Sequence, residues 1–378
     1  MLSLYYYQQQ AFDRFFEYTA ANHGKHPLIV LPTGAGKSLV QAYIVNKMLT
    51  YEKTRVLLAT HDKELIKQNY RELLDNFGGD ALLDVGINCA GLNCRDTENR
   101  ILFGSIQSIY KKAWHLGWFD LVLVDEAHLV NSKDAGMYRS FFNEIEKINK
   151  NVVIGGLTAT HFRMKDGLLT EGDDALFDDV CHETSIKELM DQNDPRNLDN
   201  KQYLCKLISK NATSKVDLSN VHVRAGEFVK SEMENAFIEN NLVEKAVKET
   251  IEYTSDRKKI LVFTAGIKHA EEVCKAFNAF DIKAVVSHSN QKESINEKNL
   301  QLFKDGKVRV FINVDKFTTG FNEKRVDCIV ILRSMKSVGL LIQICGRGFR
   351  MHPEKDDCLV LDFGRNFERF GPIDQIEI

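Results

Sequence analysis

A chain of 378 residues, 44% hydrophobic and 27% charged with only 5 prolines, is too long for one ordinary core and too apolar to be disordered or fibrous. Its formal net charge of −3 supplies no whole-molecule attraction for a polyanion, so any grip on nucleic acid must come from local patches and backbone contacts. No apolar run approaches the length a bilayer demands, and the opening MLSLYYYQQQAFDRFFEY has neither the basic start nor the apolar core of a signal peptide; the expectation is a cytoplasmic protein with no membrane partner.

In the first half, short apolar runs alternate with helical patterns: PLIVL then SLVQAYIVNKML, RVLLAT then DKELIKQNYRELLDNF, followed by RILFGS, FDLVLVD and VVIGGLTAT. That alternation predicts a parallel sheet covered by helices. In the helix after RVLLAT, Leu65, Ile66, Asn69, Tyr70, Leu73, Leu74 and Phe77 recur at helical spacing, with Asp62 placed to cap the start and Gly78 the end. From about residue 161 to 235 the periodicity weakens, and EGDDALFDD and DQNDPRNLDN read as acidic and turn-rich connections. Alternation then resumes through KKILVFTA, IKHAEEVCKAFNAF, IKAVVSH, EKNLQLFKDG, VRVFINV, DCIVILR, SVGLLIQICGRGF and DCLVLDF. The fold class expected is α/β, with two tandem domains, each a mainly parallel sheet covered by helices: 1–175, a linker region with a few strands at 176–235, and 236–378.

Eight cysteines are scattered, several inside apolar runs, which predicts buried reduced thiols; Cys89 and Cys94 lack the second pair that a zinc site needs.

Two motifs carry chemistry. The strand Leu28–Leu31 leads through PTGAGKS into a helix, placing Thr33, Gly34, Ala35, Gly36, Lys37, Ser38 and Leu39 on a strand-to-helix loop that cradles phosphates. The glycines admit backbone N–H groups to a triphosphate, Lys37 neutralises its β- and γ-phosphates, and the Ser38 hydroxyl can ligate Mg²⁺. A plain glycine turn before a core helix would give no reason for a lysine and a hydroxyl at that helix start. The strict pattern opens on glycine where this chain has Leu31, so the match is to its looser form. In FDLVLVDEAH an apolar strand ends in two carboxylates, Asp125 within reach of a Mg²⁺ on Ser38 and Glu126 to polarise an attacking water. Alone, that Asp-Glu pair could equally be a solvated turn; the phosphate loop upstream weighs strongly against that reading.

PTGAGKS, DEAH (125–128), Thr158-Ala159-Thr160 and QICGRGFR (343–350) stand in the order of the superfamily 2 helicases, and the chain resembles that family. The resemblance implies two RecA-like P-loop domains that hydrolyse ATP with Mg²⁺, with Arg347 and Arg350 as arginine fingers. It implies adenine recognition by Tyr7 and Gln8, although the arginine and proline usual before them are replaced by Tyr5 and Tyr6. It also implies coupling through His128, Thr158, Thr160 and Gln343, and nucleotide contacts from Gly320 and Asn322, where Asn322 replaces the family's aspartate. Nucleic-acid contacts would fall to Thr60, Lys63, Ser105, Gln107, Thr264 and Thr318.

LPTGAGKSLV, FGSIQS, LTATHFR, TTGFN and ILRSMKSVGLLIQICGRGFRMHPEKDDCLVLDFGRN look similar to the RadD-type branch of bacterial DNA-repair helicases. His161 stands where that branch has proline, and the chain stops without the branch's cysteine-rich tail, whose role is then either missing or supplied by a protein partner. The partner implied is DNA, single-stranded or branched. An RNA helicase of the same architecture, and an ATP-operated switch that signals without movement, remain open from the residues.

Overall fold

The computed structural model describes residues 2–77, 84–130, 136–163, 167–172, 175–224, 226–314, 323–373 and 376. They fall into two compact units, the first made of residues up to 188 with 195–200, the second of 189–194 and 201 onward.

The first unit runs α1 (Tyr6–Ala21), β1 (Pro27–Val30), α2 (Lys37–Met48), β2 (Val56–Thr60), α3 (Lys63–Phe77), β3 (Val85–Cys89), β4 (Cys94–Arg95), β5 (Ile101–Ser105), α4 (Ile106–Ile109), α5 (Ala113–Leu116), β6 (Leu121–Asp125), α6 (Met137–Ile148) and β7 (Val153–Thr158). A two-stranded pair, β8 (Phe162–Arg163) and β9 (Gly167–Leu168), and then β10 (Asp179–Glu183) follow, with α7 (Ile186–Met190) at the division between the units. Among the described residues the main sheet has the order β10-β1-β7-β6-β2-β5-β3-β4, parallel throughout except for β3 against β4. β1, β2, β5 and β6 are buried at every position, as strands covered by helices on both faces must be. On one face α6 inserts Tyr138, Phe141, Phe142 and Ile145 at helical spacing among Val122, Val124, Ile154 and Phe177.

The packing of α1 follows from a gap in β7. The Phe15 ring lies where a side chain at Gly155 would be, since a Cβ there would fall 2.6 Å from it.

The second unit contains β11 (Lys206–Asn211), β12 (Val223–Arg224), β13 (Glu227–Phe228), α8 (Lys230–Ile238), α9 (Leu242–Tyr253), β14 (Ile260–Thr264), α10 (Ile267–Ala279), β15 (Ala284–Ser287), α11 (Glu293–Lys304), β16 (Val310–Asn313), β17 (Cys328–Leu332), α12 (Val338–Cys345), β18 (Asp357–Asp362) and α13 (Asn366–Phe370). Its parallel sheet has the order β11-β18-β17-β14-β16-β15, with Phe237, Val247, Val262, Phe277, Ile312, Val330 and Leu361 in its core.

The segment 176–235, expected as a linker region that contributes a few strands to either side, is divided between the units. β10 extends the first sheet beside β1 with Pro27 opposite Asp179, and β11 extends the second beside β18 with Lys206 opposite Asp357. Short strands paired at a sheet edge give little periodicity of their own, since their partners lie far away in sequence. All eight cysteines are free thiols, and Cys328, Cys345 and Cys358 are buried, which pushes their pKa up. Among the described residues no helix is long and apolar enough to cross a membrane.

Gly155→Val should overpack the seam between α1 and β7 and destabilise the chain by about 2 kcal/mol. Urea unfolding checks this: the midpoint should fall, whereas an unchanged midpoint would mean that α1 is not seated by that gap.

Candidate functional site

In parallel strands every carboxyl end lies on one edge of the sheet, and the strand order decides what meets there. Val30 of β1 is in register with Thr158 of β7, and Leu157 of β7 with Asp125 of β6. The loop after β1, the Thr158–Thr160 turn and the paired carboxylates therefore stand in a row.

The loop from 31 to 36 is shaped by Gly34 (φ 90°) and Gly36 (φ 79°), both in the left-handed region. Those two glycines are exposed while Leu31, Pro32, Thr33 and Ala35 are buried, so the loop presents main chain to solvent. The Leu31 N–H donates to the Thr158 carbonyl at 2.9 Å, tying the loop to β7. From α1, the Tyr7 hydroxyl and the Gln8 amide both donate to the Ala35 carbonyl, at 3.1 and 2.8 Å. The Gln8 side-chain oxygen accepts from the Tyr5 N–H at 3.0 Å. Gln8, expected at an adenine edge, is thus also the brace of the phosphate-type loop, and each end of its amide keeps one further hydrogen-bonding position. A Cβ on Gly36 would run into that amide, so glycine is required there by space as well as by φ.

α2 begins at Lys37, directing its first amides and the positive end of its dipole at the loop. Lys37 Nζ donates to the Leu31 carbonyl at 3.3 Å, folding the ammonium back over the loop. Ser38 Oγ accepts from Gln68 Nε2 at 3.2 Å, and Leu39 is buried beneath.

At the end of β6, Asp125 is buried, its two oxygens accepting from the Glu126 N–H at 3.0 Å and from Asn69 Nδ2 at 2.8 Å. Burial, and then the charge of Glu126, push its pKa up to about 6, against the opposing effects of the Asn69 hydrogen bond and Lys37. Glu126 is left-handed at φ 53°, an uncommon state for a glutamate that breaks the strand's in-and-out alternation immediately after Asp125. Two carboxylates at a buried edge, with a serine hydroxyl and a lysine beside an open main-chain cradle, make an oxygen-rich donor set that fits a magnesium nucleotide.

His128 bridges to β7. Its Nδ1 lies 3.0 Å from Thr158 Oγ1 and 3.4 Å from a Glu126 carboxylate oxygen. The Thr158 hydroxyl donates its one proton to the Thr160 carbonyl at 2.8 Å and accepts from the Thr160 N–H at 3.2 Å. His128 Nδ1 must then be the donor, which assigns the tautomer from hydrogen-bond balance. Glu126, His128, Thr158 and Thr160 form one connected polar chain, and His161, just beyond, lies 3.6 Å from Glu183 of β10.

Three residues here escaped sequence reasoning. Gln68 and Asn69 sit on α3, and Tyr138 on α6 is buried with its hydroxyl lacking a partner among the described residues, its pKa pushed up by burial and by Asp125 and Glu126. One signal was readable: Asn69 is a polar amide on the apolar stripe of its helix.

The expected nucleic-acid residues divide by exposure. Thr60 and Ser105 are register partners at the same edge, toward β3, and Lys63 is exposed at the start of α3. Gln107 donates to the His61 carbonyl at 2.9 Å, and Ser105 Oγ pairs with Ser108 Oγ at 2.8 Å. The Thr60 and Thr264 hydroxyls are buried, Thr264 against the Asn313 carbonyl at 3.3 Å, so neither is a surface donor in this conformation. In the second unit, Gln343 lies on α12, and Arg347 and Arg350 lie on the turn that leaves it, where Gly348 packs against Cys358. Burial lowers the Arg350 pKa to about 10. Thr318, Gly320 and Asn322 lie outside the described residues.

Residues 1–163 match the family model described as type III restriction enzyme, res subunit, and residues 242–352 match the helicase conserved C-terminal domain. The chain is 26% identical over 369 residues to a Saccharomyces cerevisiae protein named as ATP-dependent helicase Irc3, covering 94% of this chain and 51% of that protein. It is 25% identical over 364 residues to the DNA 3′-5′ translocase XPB2 of Sulfurisphaera tokodaii, covering 86% of this chain and 75% of that one. The chain thus spans about half the length of the yeast relative. In fold it is similar to a fragment assigned as the HsdR subunit of a type I restriction enzyme from Vibrio vulnificus, with a TM-score of 0.71 at 19% identity, over 98% of this chain and 66% of that one. The fold is that of two tandem RecA-like domains.

Gly36→Ala should weaken magnesium-ATP binding at least about tenfold, because a left-handed alanine is strained and its methyl displaces Gln8. The nucleotide-induced rise in Tm reads this; an undiminished rise would remove the loop from the site.

Proposed function

We propose, for a chain that carries the paired domains of a superfamily 2 helicase, that it is an ATP-driven motor acting on DNA, hydrolysing ATP at the carboxyl edge of its first sheet. One observation carries the reading: the Gly34–Ser38 loop, Asp125, Glu126 and the His128–Thr158 bridge meet on a single edge because β1, β7 and β6 are neighbours.

In this reading Lys37 and the α2 amides bind the β- and γ-phosphates, and Ser38 and Asp125 hold Mg²⁺, which supplies neutralisation of phosphate charge when bound. Glu126 orients the attacking water and takes its proton, a role that suits a carboxylate beside but distinct from the metal ligands. Arg347 and Arg350, on the turn after α12, are the residues that the family resemblance implies as arginine fingers. The Glu126–His128–Thr158–Thr160 chain gives the state of the γ-phosphate a path to the segment leading out of β7.

The DNA assignment is supported by the archaeal relative named as the DNA 3′-5′ translocase XPB2. It is supported also by Lys63 and Gln107, exposed after β2 and β5 on the same sheet edge. Repair, recombination or replication is the setting that the RadD-type resemblance favours, with single-stranded or branched DNA as substrate.

Steady-state ATP hydrolysis should be low alone and rise with single-stranded or forked DNA. Lys37→Ala should abolish both binding and turnover, and Glu126→Gln should keep ATP binding while lowering kcat by roughly a hundredfold or more. Stimulation by RNA alone would assign an RNA helicase, and none by either nucleic acid would assign a switch.

A further inference from the structure

Most of the polar groups at this edge come from β1, β6, β7 and their loops, but two come from a helix whose other end lies elsewhere. Gln68 and Asn69 are consecutive residues of α3, pointing about 100° apart around its axis. Gln68 reaches the serine at the start of α2, and Asn69 reaches the aspartate at the end of β6. Asn69 is 4% exposed, and its Oδ1 has no partner among the described residues, so this amide is held in the interior with half its capacity unused. A buried group left half satisfied costs free energy, and a role in fixing Asp125 accounts for it better than packing does, since leucine would fill the same space. With Asn69 on one oxygen and the Glu126 N–H on the other, the carboxylate cannot turn, yet each oxygen keeps a lone pair for a cation.

The amino end of the same helix is the turn after β2. Thr60 pairs in register with Ser105, and the His61 carbonyl takes a hydrogen bond from Gln107. Lys63, the first residue of α3, is exposed there, and five to six residues of helix, roughly 8–9 Å, separate it from the two amides. A helix transmits a displacement along its axis, so a shift at residues 60–63 moves Gln68 and Asn69 together.

We propose that Gln68 and Asn69 are positioning residues that set the Ser38 hydroxyl and the Asp125 carboxylate for Mg²⁺, and that through them α3 links a nucleic-acid strand at residues 60–63 to the nucleotide site. This rests on the reading of 31–38 and 125–126 as a magnesium-nucleotide site. Gln68 and Asn69 touch neither nucleotide nor water themselves; they act through the two ligands.

The experiment uses the full chain and a fluorescent ATP analogue, titrated with Mg²⁺ at fixed nucleotide, beside ATP hydrolysis with and without single-stranded DNA. Asn69→Leu keeps volume and removes the donor; Gln68→Ala, at a half-exposed position, guards against a variant that fails to fold. For both, the Mg²⁺ concentration for half-maximal nucleotide binding should rise about tenfold, as when the partner of a metal ligand is removed, while binding without Mg²⁺ stays unchanged. The ratio of DNA-stimulated to basal hydrolysis should fall toward one. Unchanged Mg²⁺ dependence and an unchanged ratio in Gln68→Ala and in folded Asn69→Leu would overturn the inference and leave α3 a structural helix. Lys37→Ala separates the two levels: if it binds nucleotide as the wild type does, the site reading itself fails, whereas loss of binding in Lys37→Ala with normal Asn69→Leu and Gln68→Ala overturns the positioning role alone.

Discussion

A charged carboxylate at the end of a central, fully covered strand is an expensive thing to keep, and Asp125 is that group. Burial alone would drive it toward the protonated form, and Glu126 beside it adds like charge. It is held by a main-chain amide, by Asn69 and by the field of Lys37. The surroundings of this carboxylate, from the glycine loop to the α3 amides, follow from the need to keep it both oriented and able to meet a cation.

Strand order does the assembling. β1 and β7 come from positions more than a hundred residues apart, yet they are neighbours, with β6 on the other side of β7, and parallel pairing brings all their carboxyl ends to one edge. The same order puts β2 and β5 next along from β6, so Lys63 after β2 and Gln107 after β5 lie on the rim that also carries the paired carboxylates. The second unit repeats the parallel plan with a different strand order and brings Thr264 and the arginine-bearing turn after α12 from its own strands and helices.

Hydrogen-bond balance makes the polar chain directional. The single proton of Thr158 goes to Thr160, which obliges His128 Nδ1 to donate to Thr158, with a Glu126 carboxylate oxygen 3.4 Å from the same nitrogen. A change in what Glu126 accepts is therefore felt at β7 through the imidazole, with no need for a large movement of the strand. Gln8 ties two elements: its amide nitrogen donates to the Ala35 carbonyl while its oxygen accepts from the Tyr5 N–H, so α1 and the glycine loop are mechanically one piece.

What the sequence determined by itself was everything that depends on short spacing. Gly34-Ala35-Gly36-Lys37-Ser38 prescribes a left-handed turn feeding a helix start, and FDLVLVDE prescribes a covered strand ending in acid, because φ restrictions and burial periodicity act over a few residues. What only the tertiary structure decided was which ends meet. That Asn69 faces Asp125, that Gln68 faces Ser38, that Tyr138 lies near the carboxylates and that Thr60 turns inward are products of strand order and helix packing between elements apart in the chain, 56 residues for the first pair and 30 for the second. Local preferences carry no information at that range. The division of residues 176–235 between two sheets has the same cause: a short edge strand acquires its identity from the partner it pairs with, and that partner is β1 in one case and β18 in the other.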